Sequence, residues 1–262
     1  MRVGFIQLQP VFGQKKVNLE KAIKLIQQVE ADLLVLPELF NSGYLFLEKE
    51  EVQNLAERIP QGETTSILRE IAKERKVSLV FGIAEEHKGK FFNSSVLLEP
   101  GGRVHIYRKL HLFFEEKLFF SQGNRKLEVI ELEGAKVGMM VCFDWIFPEV
   151  ARSLTLKGVD IICHPANLIL PHCQEAMRTR CIENRVFAIT ANRTGRESRG
   201  GKELFFTGKS QILNPLGEVL TQASRDKEEV RVVEIDPQMA RDKNVTLYNN
   251  LFGDRRPKFY KR

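Results

Sequence analysis

What most constrains this chain is a repeated alternation of short apolar runs with segments whose apolar residues recur at helical spacing. RVGFIQL (residues 2–8) reads as a strand. A helix follows, with Asn18 as its expected N-cap and Leu19, Ala22, Ile23 and Ile26 on one face. DLLVLPE (32–38) is a continuous apolar run stopped by a proline, which suits a strand covered on both sides. Ile67, Leu68, Ile71 and Ala72 mark a second helix, and VSLVFGIAEE (77–86) another strand. Pro100-Gly101-Gly102 sits between two strand-like runs and predicts a hairpin. GAKVGMMVCFD (134–144) predicts a buried strand closed by Cys142. PEVARSLTLKG then reads as a helix, with Pro148 in its first turn and Glu149 favourable against the positive end of the dipole. DIICHPAN (160–167) and FAITANRTG (187–195) read as strands around a helix at 174–186, followed by a hairpin at Asn214-Pro215-Leu216-Gly217 and a last strand, VRVVEID. Hairpins mixed with crossover helices predict an α/β sandwich, with a doubly wound single sheet as the alternative.

Bulk properties narrow the class. With 262 residues, 43% of them hydrophobic, the chain can bury a sizeable core without disulfide or metal. No repeat or linker divides it, so one domain over 1–262 is expected. No run approaches the ~20 apolar residues of a membrane helix, and the opening residues lack a signal-peptide pattern. The expected location is the cytoplasm, where the four cysteines Cys142, Cys163, Cys173 and Cys181 would be thiols. The net charge of +6 is spread along the chain, apart from the basic tail DRRPKFYKR. That tail suits subunit docking better than nucleic acid. Charged residues at 28%, rich in Lys and Glu, would also suit a heat-adapted organism.

Three apolar runs end in reactive side chains: Glu38 in LVLPELF, Lys109 in YRKLHLFFEE with Glu116 close behind, and Cys142 in VCFDWIFPE. Singly, each has a structural explanation: a strand-end carboxylate, a solvated basic run with Arg108 and His111, a core thiol. Together, in this order, with Lys109 71 positions after Glu38 and Cys142 33 after Lys109, they resemble the three catalytic motifs of the nitrilase superfamily of carbon–nitrogen hydrolases. IENRVFAITANR and GKSQILNPLGEVL extend the resemblance to about residue 236. Family members often show Glu-Pro-Gly where this chain has Ser121-Gln122-Gly123, a departure that puts the local loop in doubt.

The resemblance implies a four-layer α-β-β-α sandwich, no cofactor, and a homodimer or higher homo-oligomer; the residues themselves suggest no metal and a tail, from about residue 237, docking on a partner subunit. The resemblance also implies Glu38 as general base, Lys109 as electrophilic stabiliser, Cys142 as nucleophile and Glu116 as a second glutamate near the site. Chemically, a cationic neighbour would raise the thiolate fraction of Cys142. Lys109 and the Phe143 N–H would receive the oxyanion.

The substrate is less legible. Relatives that bind carboxylated amides often carry an arginine shortly after the cysteine. Here Asp144-Trp145-Ile146-Phe147 would instead form an apolar wall. A small neutral or apolar acyl group is therefore expected, with Tyr44, Trp145 and Asn167 lining the pocket. Asp144 itself looks more like the amidase and carbamoylase branches, so the reading leans to an amidase and keeps nitrilase and N-carbamoyl amidase open. Rival readings are a zinc site at Cys163-His164 and His172-Cys173, a Cys–His hydrolase using His111 or His164, and a nucleic-acid-binding protein using its basic tail. Cys163 and His164 are neighbours on a predicted strand and would face opposite sides, while a histidine base would leave Glu38 and Lys109 without roles.

Overall fold

The computed structural model describes residues 1–260. Two six-stranded sheets, each mixed in direction, form the centre. The first contains β1 (Arg2–Gln7), β2 (Leu33–Val35), β3 (Ser78–His87), β4 (Lys90–Leu98), β5 (Val104–Arg108) and β14 (Glu229–Glu234), in the order β14-β1-β2-β3-β4-β5. The second contains β6 (Ile130–Leu132), β7 (Ala135–Met139), β8 (Ile161–Ala166), β9 (Phe187–Asn192), β12 (Gln211–Leu213) and β13 (Val219–Gln222), in the order β13-β12-β9-β8-β7-β6. Helices α1 (Lys15–Ile26) and α3 (Glu63–Arg75) flank the first sheet, and α5 (Pro148–Leu156) and α6 (Cys173–Asn184) the second. Short helices α2 (Lys49–Leu55) and α4 (Glu116–Phe119) and a separate hairpin, β10 (Arg196–Arg199) with β11 (Lys202–Phe205), complete the described elements that bear on the site.

Strand periodicity explains the layering. Val3, Phe5, Leu33 and Val35 join one core with Val137, Ile161, Phe187 and Ile189 of the facing sheet. Their neighbours Ile6, Leu34 and Leu36 point the other way, into a second core with Leu19, Ala22, Ile26, Leu68 and Ala72 of the helices. A strand apolar on both faces thus becomes a layer shared by two cores. The sandwich expected from the sequence is present, and the single doubly wound sheet is not.

Two local expectations change. The α1 N-cap is Gln14, not Asn18. Asn18 lies inside the first turn, where its side chain bridges the Val11 N–H and C=O and the Asn41 carbonyl. The strand expected over 134–144 ends at Met139. Cys142 does not close it but opens a 3-10 turn over Cys142–Ile146.

β1, β2 and β3 run parallel, as do β7, β8 and β9. Chemistry in such sheets collects beyond the carboxyl ends of the strands, where the chain turns and side chains are free of the ladder. Glu38, Lys109, Cys142 and Asn167 each follow within a few residues of such a strand end.

Candidate active site

Glu38 sits in the turn after β2, its side chain fully buried. The turn can lie flat on β3 because residue 82 is glycine: a Cβ there would come within 2.4 Å of the Glu38 Cα. The Gly82 N–H donates to the Pro37 carbonyl at 3.0 Å, locking strand and turn together. Lys109 follows β5 directly and rests on a second glycine. A Cβ on Gly123 would meet the Arg108 carbonyl oxygen at 2.1 Å, and the Gly123 N–H donates to the Lys109 carbonyl at 2.9 Å. The departure at Ser121-Gln122 therefore leaves the contact made by its glycine in place.

Lys109 lies at the centre of the charges. Its Nζ donates to Glu38 Oε1 and Glu116 Oε1, both at 2.7 Å, with no side-chain exposure to solvent. Burial pushes the ammonium toward its neutral form, but the carboxylates of Glu116 and Glu38 outweigh it and hold Lys109 charged. Its neighbours in the basic run are partnered too: Arg108 pairs with Glu85, and His111 Nδ1 donates to Asp144 at 2.8 Å. Glu116, the first residue of α4, accepts from Tyr44 Oη at 2.7 Å and from the Phe113 N–H at 3.0 Å. Both of its oxygens are thus engaged. Its pKa is raised, chiefly by burial, against the opposing pull of Lys109. Glu38 also accepts from Asn93 Nδ2 at 2.7 Å through Oε1, whereas its Oε2 is buried and meets no donor among the described residues.

Cys142 opens its turn with a φ of 40°, a left-handed conformation that a side chain rarely adopts. Two groups hold this bend. His164 Nε2 donates to the Cys142 carbonyl at 2.9 Å, and since a carbonyl only accepts, Nδ1 must take the Thr190 hydroxyl proton at 3.1 Å. Asp144, fully buried, accepts from the Val141 N–H at 2.9 Å, the Tyr107 hydroxyl at 2.7 Å and His111. Tyr107 and His111 flank Lys109, so Asp144 ties the lysine loop to the cysteine turn.

The thiol does not behave as the charge pattern suggested. Burial, the largest influence, and then the Glu38 carboxylate push the Cys142 pKa well above the ordinary thiol value. Lys109 and the Asn167 N–H pull only partly against them. Burial and the Glu38 carboxylate thus keep the resting group a protonated thiol. The Phe143 N–H falls in the first turn, where a helix has no acceptor of its own to offer.

Cys142 shares a narrow cavity with Phe143, Trp145 and Asn167. Phe113 and Ile169 divide it from a chamber of about 420 Å³ whose walls include Tyr44, Phe46, Phe119 and Glu116. The structure thus brings the eight residues singled out in the sequence into one region, but residues 144–147 form the expected apolar wall only in part. Trp145 contributes. Asp144 turns inward to its hydrogen bonds, Ile146 is 43% exposed, and Phe147 stacks on His111. Phe113, Leu168 and Ile169 supply the missing apolar surface.

Several contributors escaped sequence reasoning. Glu197 on β10 accepts from the N–H groups of Tyr44 and Leu45, at 3.1 and 2.7 Å through separate oxygens, and pairs with fully buried Arg193. Arg193 stacks on Phe206, whose ring meets Tyr44 edge-on. This assembly sets the loop from which Tyr44 reaches Glu116. The one short-range signal for it is Arg193, a charged residue that closes an otherwise apolar strand. The rival histidine bases find other employment: His164 binds a carbonyl and His111 a carboxylate. Among the described residues no group of three or more His, Cys, Asp or Glu side chains is arranged to hold a metal ion.

The family described as Carbon-nitrogen hydrolase matches residues 2–244 of this chain. The chain is 46% identical over 263 residues to a protein named nitrilase from Pyrococcus abyssi, with 99% of each chain covered. It is 36% identical to an (R)-stereoselective amidase from a Pseudomonas species, over 90% of this chain and 85% of that one. Among solved structures, a carbon–nitrogen hydrolase from Helicobacter pylori G27 superposes with a TM-score of 0.91 at 28% identity, covering 99% of this chain and 97% of the other.

Proposed function

The chain belongs to the carbon–nitrogen hydrolase family of the nitrilase superfamily, and from that premise we propose that it hydrolyses small neutral amides through a thioester on Cys142. The observation that carries this reading is Lys109 Nζ bound between Glu38 and Glu116 while Glu38 Oε2 stays without a donor, all within charge range of Cys142.

The chemistry follows from the resting protonation. Because Cys142 is a thiol, its proton must leave as sulfur attacks, and Glu38 is the base with an oxygen to spare. Attack on the amide carbon moves the carbonyl electron pair onto oxygen. Lys109 and the Phe143 N–H stabilise that charge, and one such donor is worth ~10²–10³ in rate. As the C–N bond breaks, the nitrogen takes the proton from Glu38 and leaves as ammonia. A water molecule, deprotonated by Glu38, then attacks the thioester, and sulfur departs to recover its proton. With both oxygens occupied, Glu116 serves this scheme by holding Lys109 rather than by handling water.

The preference for an uncharged acyl group rests on the walls. Phe113, Leu168 and Ile169 offer no partner to a substrate carboxylate and Trp145 only a neutral indole N–H, so such a group would lose most of its hydration uncompensated. Asp144 no longer bears on the choice between amide and nitrile, since it faces Tyr107 and His111. A second reading, hydrolysis of a nitrile by the same residues, is favoured by the similarity to the Pyrococcus abyssi protein. N-carbamoyl compounds are the remaining class. We further propose a homodimer in which the C-terminal segment lies against the second copy.

The test is ammonia release from a panel of amides, carbamoyl compounds and nitriles, with mass detection of the acyl group on Cys142. Cys142→Ala, Glu38→Gln and Lys109→Ala should each abolish release while the fold persists. Undiminished turnover by Cys142→Ala would end the proposal.

A further inference from the structure

The unpartnered side-chain atoms beside Cys142 are acceptors. Among the described residues, Glu38 Oε2 and Asn167 Oδ1 are both buried and reached by no donor. The orientation of the Asn167 amide is not arbitrary. Its Nδ2 lies 2.9 Å from the Glu38 carbonyl oxygen, which can only accept, so Oδ1 is the opposite edge of the group. Asn167 lines the same cavity as Cys142. The other walls of that cavity, Phe113, Trp145, Leu168 and Ile169, have no polar side-chain atom except the Trp145 indole N–H, itself a donor.

A buried acceptor left without a donor forfeits its hydration uncompensated, so its persistence at a reaction centre calls for a ligand that supplies one. Carboxamide and nitrile substrates differ on this point. A primary amide arrives with two N–H donors on the leaving nitrogen, whereas a nitrile nitrogen has none and can only accept.

We infer that Asn167 Oδ1 accepts a hydrogen bond from the leaving –NH2 of the substrate, which makes Asn167 the residue that selects a carboxamide over a nitrile. The inference rests on the amide reading above and sharpens it. With one N–H held by Asn167, the nitrogen lone pair freed in the tetrahedral intermediate is turned toward Glu38, which delivers the proton as the C–N bond breaks. The electrons of that bond leave on nitrogen, and ammonia departs from between the two acceptors. A nitrile in the same place would leave Oδ1 unpaired and set its own lone pair against it.

The experiment compares the primary amide, the methyl ester and the nitrile of one acyl group. The ester passes through the same acyl-enzyme but brings no N–H, so it controls for folding and for the placement of the Glu38 turn. In Asn167→Ala, kcat/KM for the amide should fall about tenfold or more relative to the ester, the ratio that ~1.4 kcal/mol produces. Asn167→Asp should restore the ratio. A carboxyl group that keeps its proton offers the same donor to the Glu38 carbonyl and the same acceptor to the substrate. Equal losses on amide and ester in Asn167→Ala would reduce Asn167 to a support for the Glu38 turn and overturn the inference. Should Asn167→Ala not fold, the amide-to-ester ratio of Asn167→Ser decides by the same criterion. Failure of the underlying amide reading shows separately, as wild-type protein that turns over the nitrile and not the amide.

Discussion

A buried thiol flanked by carboxylates cannot keep a standing negative charge, and this governs the residue scale. Lys109 is close, but its charge is divided between Glu38 and Glu116 before Cys142 can draw on it. In the proposed mechanism the nucleophile is made only when base and substrate are both present, which would shield the thiol from oxidation as well as from water. His164 shows the complementary case of a group kept neutral. Burial, against the weaker pull of Asp144 and Glu38, lowers its pKa to about 4. Between the ordinary histidine value of 6.5 and that value, the unfolded chain takes up a proton that the folded one refuses. The unfolded state therefore binds more protons in this window, and stability falls as pH drops through it. The contribution is on the order of 3 kcal/mol. Thermal melts at pH 7 and pH 4.5 should show a smaller acid loss for His164→Gln than for wild type. An unchanged difference would mean that His164 does not carry it.

At the scale of elements, the site depends on how closely two turns approach two pieces of backbone. Gly82 and Gly123 act as seats rather than hinges, since neither needs a positive φ and both are chosen by what lies above them. Gly82→Ala would push the Glu38 turn outward, because the added carbon would stand 2.4 Å from the Glu38 Cα. Overpacking of this kind costs ~1–3 kcal/mol, and an ångström of misplacement at a reacting group costs on the order of 10² in rate. We expect Gly82→Ala to fold with a melting temperature lower by several degrees and to lose most of its kcat. Gly101→Ala is the control, with nothing within 4 Å of its added carbon. Wild-type kcat in Gly82→Ala would show that the turn tolerates displacement.

At the scale of the molecule, the parallel strands of the two sheets end on the cluster, and the surface carries a second message. Leu247 and Tyr248 in the C-terminal segment are each 87% exposed, and Ile182 of α6 is 51% exposed. Residues that large and apolar are normally covered, and a second copy of this chain would cover them. Sedimentation of wild type should give a dimer or larger assembly. Leu247→Ser with Tyr248→Ser should shift it toward monomer at the same concentration. A monomeric wild type would remove the dimer from the proposal. The final residues of the basic tail, Lys261 and Arg262, lie outside the described residues.

Sequence order alone determined the alternation of strands and helices and the two-faced apolar strands that demand two cores, because periodicity and turn chemistry are local properties. It read Glu38, Lys109, Glu116 and Cys142 as one set only through their order and spacing. Tertiary structure decided everything that depends on approach between distant segments. It made Asp144 a tie between loops instead of a pocket wall, it turned Cys142 into a protonated thiol, and it brought Arg193 and Glu197 behind Tyr44. Burial and pairing are set by what packs around a group, and no stretch of neighbouring residues contains that information.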